Sequence, residues 1–288
     1  MEPIVSVVIP NYNNSKYLID SISSVLSQTY THTEIIVIDD GSTDDSLTKI
    51  RSFGGRIRLI EQEHQGAASA RNRGIRSATG EFIAFLDSDD IWKKNKLELQ
   101  VKKMTTGNYG LVYCSLQEFS SSETSGLIHK ARYEGDCYTY IKKFPYKAII
   151  IGGCSTALIQ TSLLANSIFF DEEFKGVGED LDFFRKVSRI ACVGALPEIL
   201  VKYRRHQTNL TTVSKREYFE GNSKAVVNLI NEDLSIGKLE GRIIWIKLLT
   251  NYLKTFAKVR DFTMILRIGV MMFTKISKYT RFKTFSGA

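Results

Sequence analysis

The stretch Glu81-Phe82-Ile83-Ala84-Phe85-Leu86-Asp87-Ser88-Asp89-Asp90-Ile91-Trp92 decides the fold. An apolar run from Phe82 to Leu86 stops abruptly at three carboxylates within four residues. The run is short and carries Phe and Ile, so it reads as a buried strand. Asp87, Ser88 and Asp89 then fall where strand gives way to loop. In open α/β sheets ligands bind at that edge. Carboxylates this close repel one another unless positive charge lies between them. A hard divalent cation completed by substrate phosphates answers that need. Taken alone, the cluster reads first as a polar turn with Asp90 capping a helix ahead of Trp92.

The stretches around it repeat the pattern. Val5 to Ile9 is a β-branched run ended by Pro10-Asn11-Tyr12-Asn13-Asn14. Ser15 is placed to cap a helix with Leu18, Ile22, Val25 and Leu26 at helical spacing. Glu34 to Asp39 is a second strand, closed by Asp39-Asp40-Gly41-Ser42, with helix from about Thr43 to Ile50. Arg56 to Glu61 reads as strand and Gly66 to Ser77 as helix. Leu111 to Cys114 and Ala157 to Ile159 are further apolar runs. Strands alternating with helices imply an α/β fold, doubly wound on a mostly parallel sheet. No Gly-x-Gly-x-x-Gly follows the first strand, so a dinucleotide cradle is excluded. No Walker loop and no His-Glu-x-x-His are present. The ligand edge is acidic: Pro10 to Asn14, Asp39 to Ser42, Asp87 to Asp90.

In order, VSVVIPNYNNSKYLIDSISSVLSQTY, EIIVIDDGSTDDS, GAASARNRGIRSATGEFIAFLDSDDIW and GEDLDFFRKV resemble a family 2 glycosyltransferase of the GT-A fold, inverting and of the bacterial surface-polysaccharide type. The resemblance covers roughly residues 4–208, with YRRHQTNLT as its closing motif. It implies a catalytic region over 1–210, with nucleotide binding in 1–107 and acceptor binding in 108–210, and a basic helical extension over 211–288. The implied reaction moves a hexosyl or N-acetylhexosaminyl group from a nucleotide-diphosphate sugar, a UDP-sugar first of all, to a hydroxyl of a glycan or lipid-linked acceptor.

The same resemblance implies residue roles. One of Asp39 and Asp40, with Asp40 favoured, accepts an N–H of the base; an Asx-turn or helix cap is the structural alternative. Tyr12 stacks on the base, or covers the core as a loop aromatic, and Pro10 shapes that loop. Arg71 pairs with the diphosphate, or holds Asp39 or Asp87 by a salt bridge. Asp89 ligates Mn²⁺ or Mg²⁺; Asp87 shares the metal or holds the donor ribose, with Ser88 between them. Gly152-Gly153 lets backbone approach the donor sugar, or forms a simple turn. Asp180 is the catalytic base at a helix start, beside Glu179, which touches a sugar. An acidic first turn also suits the helix dipole. His206 reaches back to the metal or the diphosphate, and Arg204 or Arg205 neutralises phosphate. The loop Thr208 to Lys215 orders over the bound donor.

Composition narrows the setting. Apolar residues make up 43% and charged residues 24%, ordinary for a folded domain. Cys114, Cys137, Cys154 and Cys192 have neither metal nor disulfide spacing, which suits a reducing cytoplasm. No leader sequence is expected. The formal charge of +8 is uneven: 17 basic against 6 acidic residues from Lys202 onward, and 22 against 25 before it. From Gly241 to Ala288 there are 10 basic residues and one acid. Ile243, Ile244, Trp245, Leu248, Leu249, Tyr252, Leu253, Phe256 and Val259 form a helical stripe within that tail. A basic amphipathic helix of this kind suits peripheral contact with the cytoplasmic face of a membrane through 241–288. A helical pair packed on the catalytic region or on a second subunit is the alternative, so an oligomer is compatible. Nucleic acid is not expected, because the basic excess lies in the tail. A sugar nucleotidyltransferase would need a glycine-rich phosphate loop. A catalytically inactive relative would have lost Asp89 or Asp180, and both are present.

Overall fold

A computed structural model of the chain describes residues 2–120, 126–144, 148–150, 153–164, 168–174, 176–206, 214–258, 261, 263–269 and 271. Outside these fall residues 121–125 of the polar loop, Pro145 to Lys147, Gly152, residues 207–213 of the expected lid, and residues 272–288.

The first four strands and their helices follow the reading closely. They are β1 (Val5–Asn11), α1 (Ser15–Leu26), β2 (Thr33–Asp39), α2 (Ser46–Arg51), β3 (Arg58–Glu61), α3 (Ala67–Ser77) and β4 (Phe82–Phe85). Then come β5 (Ile91–Trp92), α4 (Lys96–Thr106), β6 (Leu111–Phe119), β7 (Ile128–His129), α5 (Cys137–Lys143), β8 (Ala157–Gln160), α6 (Thr161–Leu164), α7 (Glu179–Ile190), β9 (Val193–Arg204), α8 (Lys215–Glu232) and α9 (Lys238–Lys258). The strands lie in the order β3-β2-β1-β4-β8-β6-β9-β5, with β7 paired to β6. The β3-β2-β1-β4 half is parallel. β8 runs antiparallel to both β4 and β6 and forms the seam to the second half.

Alternation along the strands builds two cores. Val5, Val7 and Ile9 face α1 and α4, whereas Val8, Ile36, Ile38, Ile83 and Phe85 face α3 and α7. Both faces are covered, which is why these strands read as unbroken apolar runs. The α3 helix lies so close that a Cβ on Gly74 would stand 2.2 Å from Val8 Cγ1. Pro10 does not end β1 as the sequence suggested; it pairs with Ile38 inside the strand. Val8 O accepts from Leu86 N, so that side of β1 faces β4. Two residues on, Pro10 faces the same side beyond the end of β4, where a missing N–H costs no ladder bond.

Two further expectations change. Asp90 does not cap a helix: Ile91 and Trp92 form β5, antiparallel to β9, and α4 begins only at Lys96. The apolar stripe of the tail is largely covered by protein. Ile244, Trp245, Leu248, Leu249, Tyr252 and Phe256 are buried in a third core with Phe219, Val226 and Leu229 of α8 and Tyr138 of α5. Tyr138 donates its hydroxyl to Asp233 just after α8. Among the described residues no helix is long and apolar enough to cross a membrane.

Lysine is the costliest of the ionisable side chains buried here to leave without a carboxylate partner. Lys96 is fully buried; its Nζ donates to Gln100 Oε1 at 2.7 Å and sits 3.7 Å from the centre of the Trp92 ring. Burial pulls its pKa down to about 7. The folded chain therefore releases this proton well below the ordinary lysine value of 10.5. Between those two values the unfolded chain binds the extra proton, so stability rises with pH across that window. Thermal melts from pH 6 to pH 10 should show this rise in the native chain. Lys96→Met should melt higher near pH 6 and lose the part of the slope that belongs to this group; an unchanged slope would mean that Lys96 is not the source.

Candidate active site

The acid loop is anchored on every side. Leu86 N donates to Val8 O, and Asp90 N donates to Asp87 O to close the turn. Ser88 Oγ accepts from Asn14 Nδ2 at 2.9 Å. Asp90 is fully buried; its Oδ1 accepts from Arg204 N at 3.0 Å, and its carbonyl accepts from Ser21 Oγ at 2.7 Å. Burial pushes its pKa well up, and the charges of Asp89 and Asp87 add to that. Asp90 is thus an internal latch between the loop and β9.

The β5–β9 pairing brings the closing motif to this loop. It places His206 Nε2 2.9 Å from Asp89 Oδ2. Burial raises the Asp89 pKa, Asp87 raises it further, and the His206 contact opposes both. Arg204 turns the other way. Its Nε donates to the Asp89 carbonyl, its Nη2 reaches Asp20 Oδ2 at 2.9 Å, and its guanidinium lies between the Tyr17 and Phe119 rings. It serves the frame. Arg205 is at the rim, with Nε 3.4 Å from Glu118 Oε2.

Arg71 joins the two halves. It is buried on α3, donates Nη2 to Asp87 Oδ1 at 2.8 Å, and donates Nη1 to Glu179 Oε1. The salt bridge weighed in the sequence is therefore present to Asp87, with Glu179 rather than Asp39 as the second partner. Asn72 beside it clamps the chain near Phe170: Nδ2 donates to Phe170 O and Glu172 Oε1, and Oδ1 accepts from Phe170 N. Asp87 N in turn donates to Ser155 Oγ at 3.1 Å.

Asp180 follows Glu179 at the start of α7. Its Oδ1 accepts from Leu181 N at 2.7 Å, and burial raises its pKa. Gly153 faces it: a Cβ there would stand 3.5 Å from Asp180 Oδ2, and its φ of +60° suits glycine. The approach to Asp180 is set by a second glycine pair. A Cβ on Gly178 would stand 2.7 Å from Gly221 O, and one on Gly221 would stand 2.3 Å from Val177 O. The backbone of α8 thus presses on the residues that lead into Glu179 and Asp180. Arg185 strengthens the same contact by bridging Asp182 and, on α8, Glu232 at 2.9 Å. On α8, Tyr218 has its pKa raised by burial and then by the charge of Asp180.

The other end of the edge is the Tyr12–Asp40 corner. Asp39 is buried, with Oδ2 accepting from Asn11 Nδ2 and Oδ1 from Ser42 N, both at 2.9 Å. Asp40 is buried too, and accepts from Gln62 Nε2, Gln65 N and Gly66 N at the entry to α3. Tyr12 is exposed and carries the His64 ring stacked on it.

The structure brings Asp87, Ser88, Asp89, His206, Arg71, Glu179 and Asp180 to one edge, with Pro10, Tyr12, Asp39 and Asp40 at its other end. The sequence missed His64, Ser155 and the Arg71–Glu179 pair. No local pattern marks them, because each acts through a partner distant in sequence. Gly221→Ala should push α8 off the loop before Asp180. The variant should lower the melting temperature, because the added methyl meets backbone rather than a side chain that can turn away; an unchanged melt would show that the contact opens without cost.

A family model described as Glycosyl transferase family 2 matches residues 6–166. An uncharacterized glycosyltransferase of Rickettsia typhi is 35% identical over 224 residues, covering 76% of this chain and 70% of that protein. The UDP-Glc:alpha-D-GlcNAc-diphosphoundecaprenol beta-1,3-glucosyltransferase WfgD of Escherichia coli is 37% identical over 166 residues, covering 56% of this chain and 62% of WfgD. The chain therefore spans less than two thirds of the length of WfgD. Among solved structures, S. aureus TarS 1-349 in complex with UDP-GlcNAc matches with a TM-score of 0.68 at 22% identity, covering 88% of this chain and 72% of that one. At that identity the likeness speaks to the fold, which is the mixed α/β GT-A fold.

Proposed function

The chain belongs to glycosyl transferase family 2 and is a glycosyltransferase; from that premise we propose that it transfers a sugar from a UDP-sugar to a hydroxyl of a lipid-linked or glycan acceptor, with inversion at the anomeric carbon. The observation that carries the reading is the Arg71 bridge, which holds Asp87 of the donor loop and Glu179 of the acceptor side on one guanidinium. The UDP-sugar and the lipid-linked acceptor are taken from what TarS binds and what WfgD acts on.

In this reading the base lies on Tyr12 and gives an N–H to Asp40, while Pro10 shapes the floor and Asp39 braces Asn11 and Ser42. The diphosphate lies over Asp87-Ser88-Asp89, with Arg205 at the rim. Among the described residues no three acids, imidazoles or thiols form a ready metal cage. Asp89, with His206 2.9 Å away and Asp87 beside it, still fits Mn²⁺ or Mg²⁺, which take one or two carboxylates and complete their shell with substrate phosphates. Such an ion, held by Asp89, His206 and Asp87, would stabilise charge on the departing diphosphate.

Asp180 takes the proton of the acceptor hydroxyl as that oxygen attacks the anomeric carbon. Burial makes its carboxylate a better base. Glu179 is engaged by Arg71, so it positions the sugar rather than attacking it. A cytoplasmic protein touching the inner membrane face is proposed from the basic excess of 241–288 together with exposed Leu239, Ile243 and Ile246 on α9.

Release of the nucleoside diphosphate, UDP or GDP, from a panel of UDP- and GDP-sugars with Mn²⁺ tests the reading. Asp180→Asn should cut turnover by about 10²–10⁴-fold and leave UDP binding intact; retained turnover removes Asp180 as the base. Asp89→Ala should weaken UDP binding at least tenfold in Mn²⁺ and not in EDTA. Equal affinity in Mn²⁺ would remove Asp89 as a ligand.

A further inference from the structure

His64 has no role in the mechanism above, yet it stands against the two residues assigned to the base; the inference rests on that assignment. Its imidazole stacks on Tyr12 with ring centroids 3.8 Å apart and planes at 19°. Its Nδ1 lies 2.8 Å from Asp40 Oδ2 and 3.2 Å from the Asp40 carbonyl oxygen. Both neighbours can only accept, so Nδ1 carries the hydrogen. A flat nitrogen ring on Tyr12, with a ring N–H turned to Asp40, makes the same two contacts that a pyrimidine base would make there.

Asp40 has no spare place for a second such ring. Its Oδ1 accepts from Gln62 Nε2 at 2.7 Å and Gln65 N at 2.9 Å. Its Oδ2 accepts from Gly66 N at 2.8 Å and faces His64. These three hydrogen bonds use three of the roughly four acceptor directions of an ionised carboxylate, and the imidazole, whose own hydrogen bond goes to the Asp40 carbonyl, stands 2.8 Å from Oδ2 and covers what is left. A base N–H therefore reaches Asp40 only when a neighbour leaves. Gln65 N and Gly66 N are main-chain groups fixed at the entry to α3. Gln62 is half-buried, while the His64 side chain is 52% exposed and can turn into solvent.

We propose that His64 occupies the base site of the donor-free protein and yields it to the nucleobase when the donor binds. The stand-in covers Tyr12 and the open side of the Asp40 carboxylate while the site is empty. It also lowers the apparent affinity for nucleotide by the fraction of molecules in which the ring is already out. A ligand without a base does not compete with His64 and escapes that cost.

Calorimetric titration of the full chain with UDP, and separately with inorganic pyrophosphate, both in Mn²⁺, tests this. His64→Ala should bind UDP about three- to tenfold more tightly and pyrophosphate with unchanged affinity. His64→Phe keeps a ring on Tyr12 but offers Asp40 no donor, and should gain less. Weaker or unchanged UDP binding by His64→Ala overturns the proposal, the weaker result marking His64 as a wall of the base pocket. If neither the native chain nor the variants bind UDP, the nucleotide reading itself falls and this inference with it.

Discussion

A single buried guanidinium ties the site together. Arg71 is held between Asp87, 16 residues on, and Glu179, 108 residues on. Removing one partner of a buried ion pair costs about 3–5 kcal/mol, because the remaining charge is left without water or counter-charge. The Asp87 loop and the start of α7 are therefore bound to keep their separation. That constancy suits transfer chemistry, in which misplacement by an ångström is expensive. It also changes the electrostatics of the acid loop. The repulsion expected among Asp87, Asp89 and Asp90 is relieved from within: Arg71 meets Asp87, His206 meets Asp89, and Asp90 takes a main-chain N–H. In the proposed reading, a divalent ion would serve the charge of the diphosphate more than that of the protein.

The Asp180 end has its own constraint. Gly178 and Gly221 let α8 rest on the chain just before Asp180, at a distance that any side chain would forbid. The helix lies beyond the matched residues 6–166, yet it sets where α7 begins. Tyr218, one turn before Gly221, feels the charge of Asp180. The third core, with α9 behind α8, keeps that support in place. The extension whose stripe suits a membrane face in sequence also braces the chain that leads into Asp180.

How much of this was legible follows from which interactions are local. The parallel strands β1, β2 and β4 announced themselves, since strands buried on both faces are apolar throughout. The acidic ends of those strands marked the ligand edge. β9 did not announce itself, because Pro197 and Glu198 interrupt its pattern and its register against β6 shifts near Ser115. β5 has only two residues, so Asp90 was taken for a helix cap. Yet the β5–β9 pairing is what delivers His206 to Asp89. The stripe of α9 was visible as a stripe, but periodicity reveals an apolar face without revealing what covers it. Glu179 as partner of Arg71, and His64 on Tyr12, depend on tertiary placement that no spacing encodes.

In the proposed reading donor and metal meet on the Asp87–Asp89 loop, with the nucleobase at Tyr12 and the metal at Asp89. X-ray diffraction from crystals soaked in UDP and Mn²⁺, with anomalous data at the manganese edge, tests this most directly. One manganese peak is expected in contact with Asp89, His206 and the diphosphate, with a uracil ring on Tyr12 and its N–H at Asp40. A peak away from Asp89, or UDP bound with its base elsewhere, would contradict it.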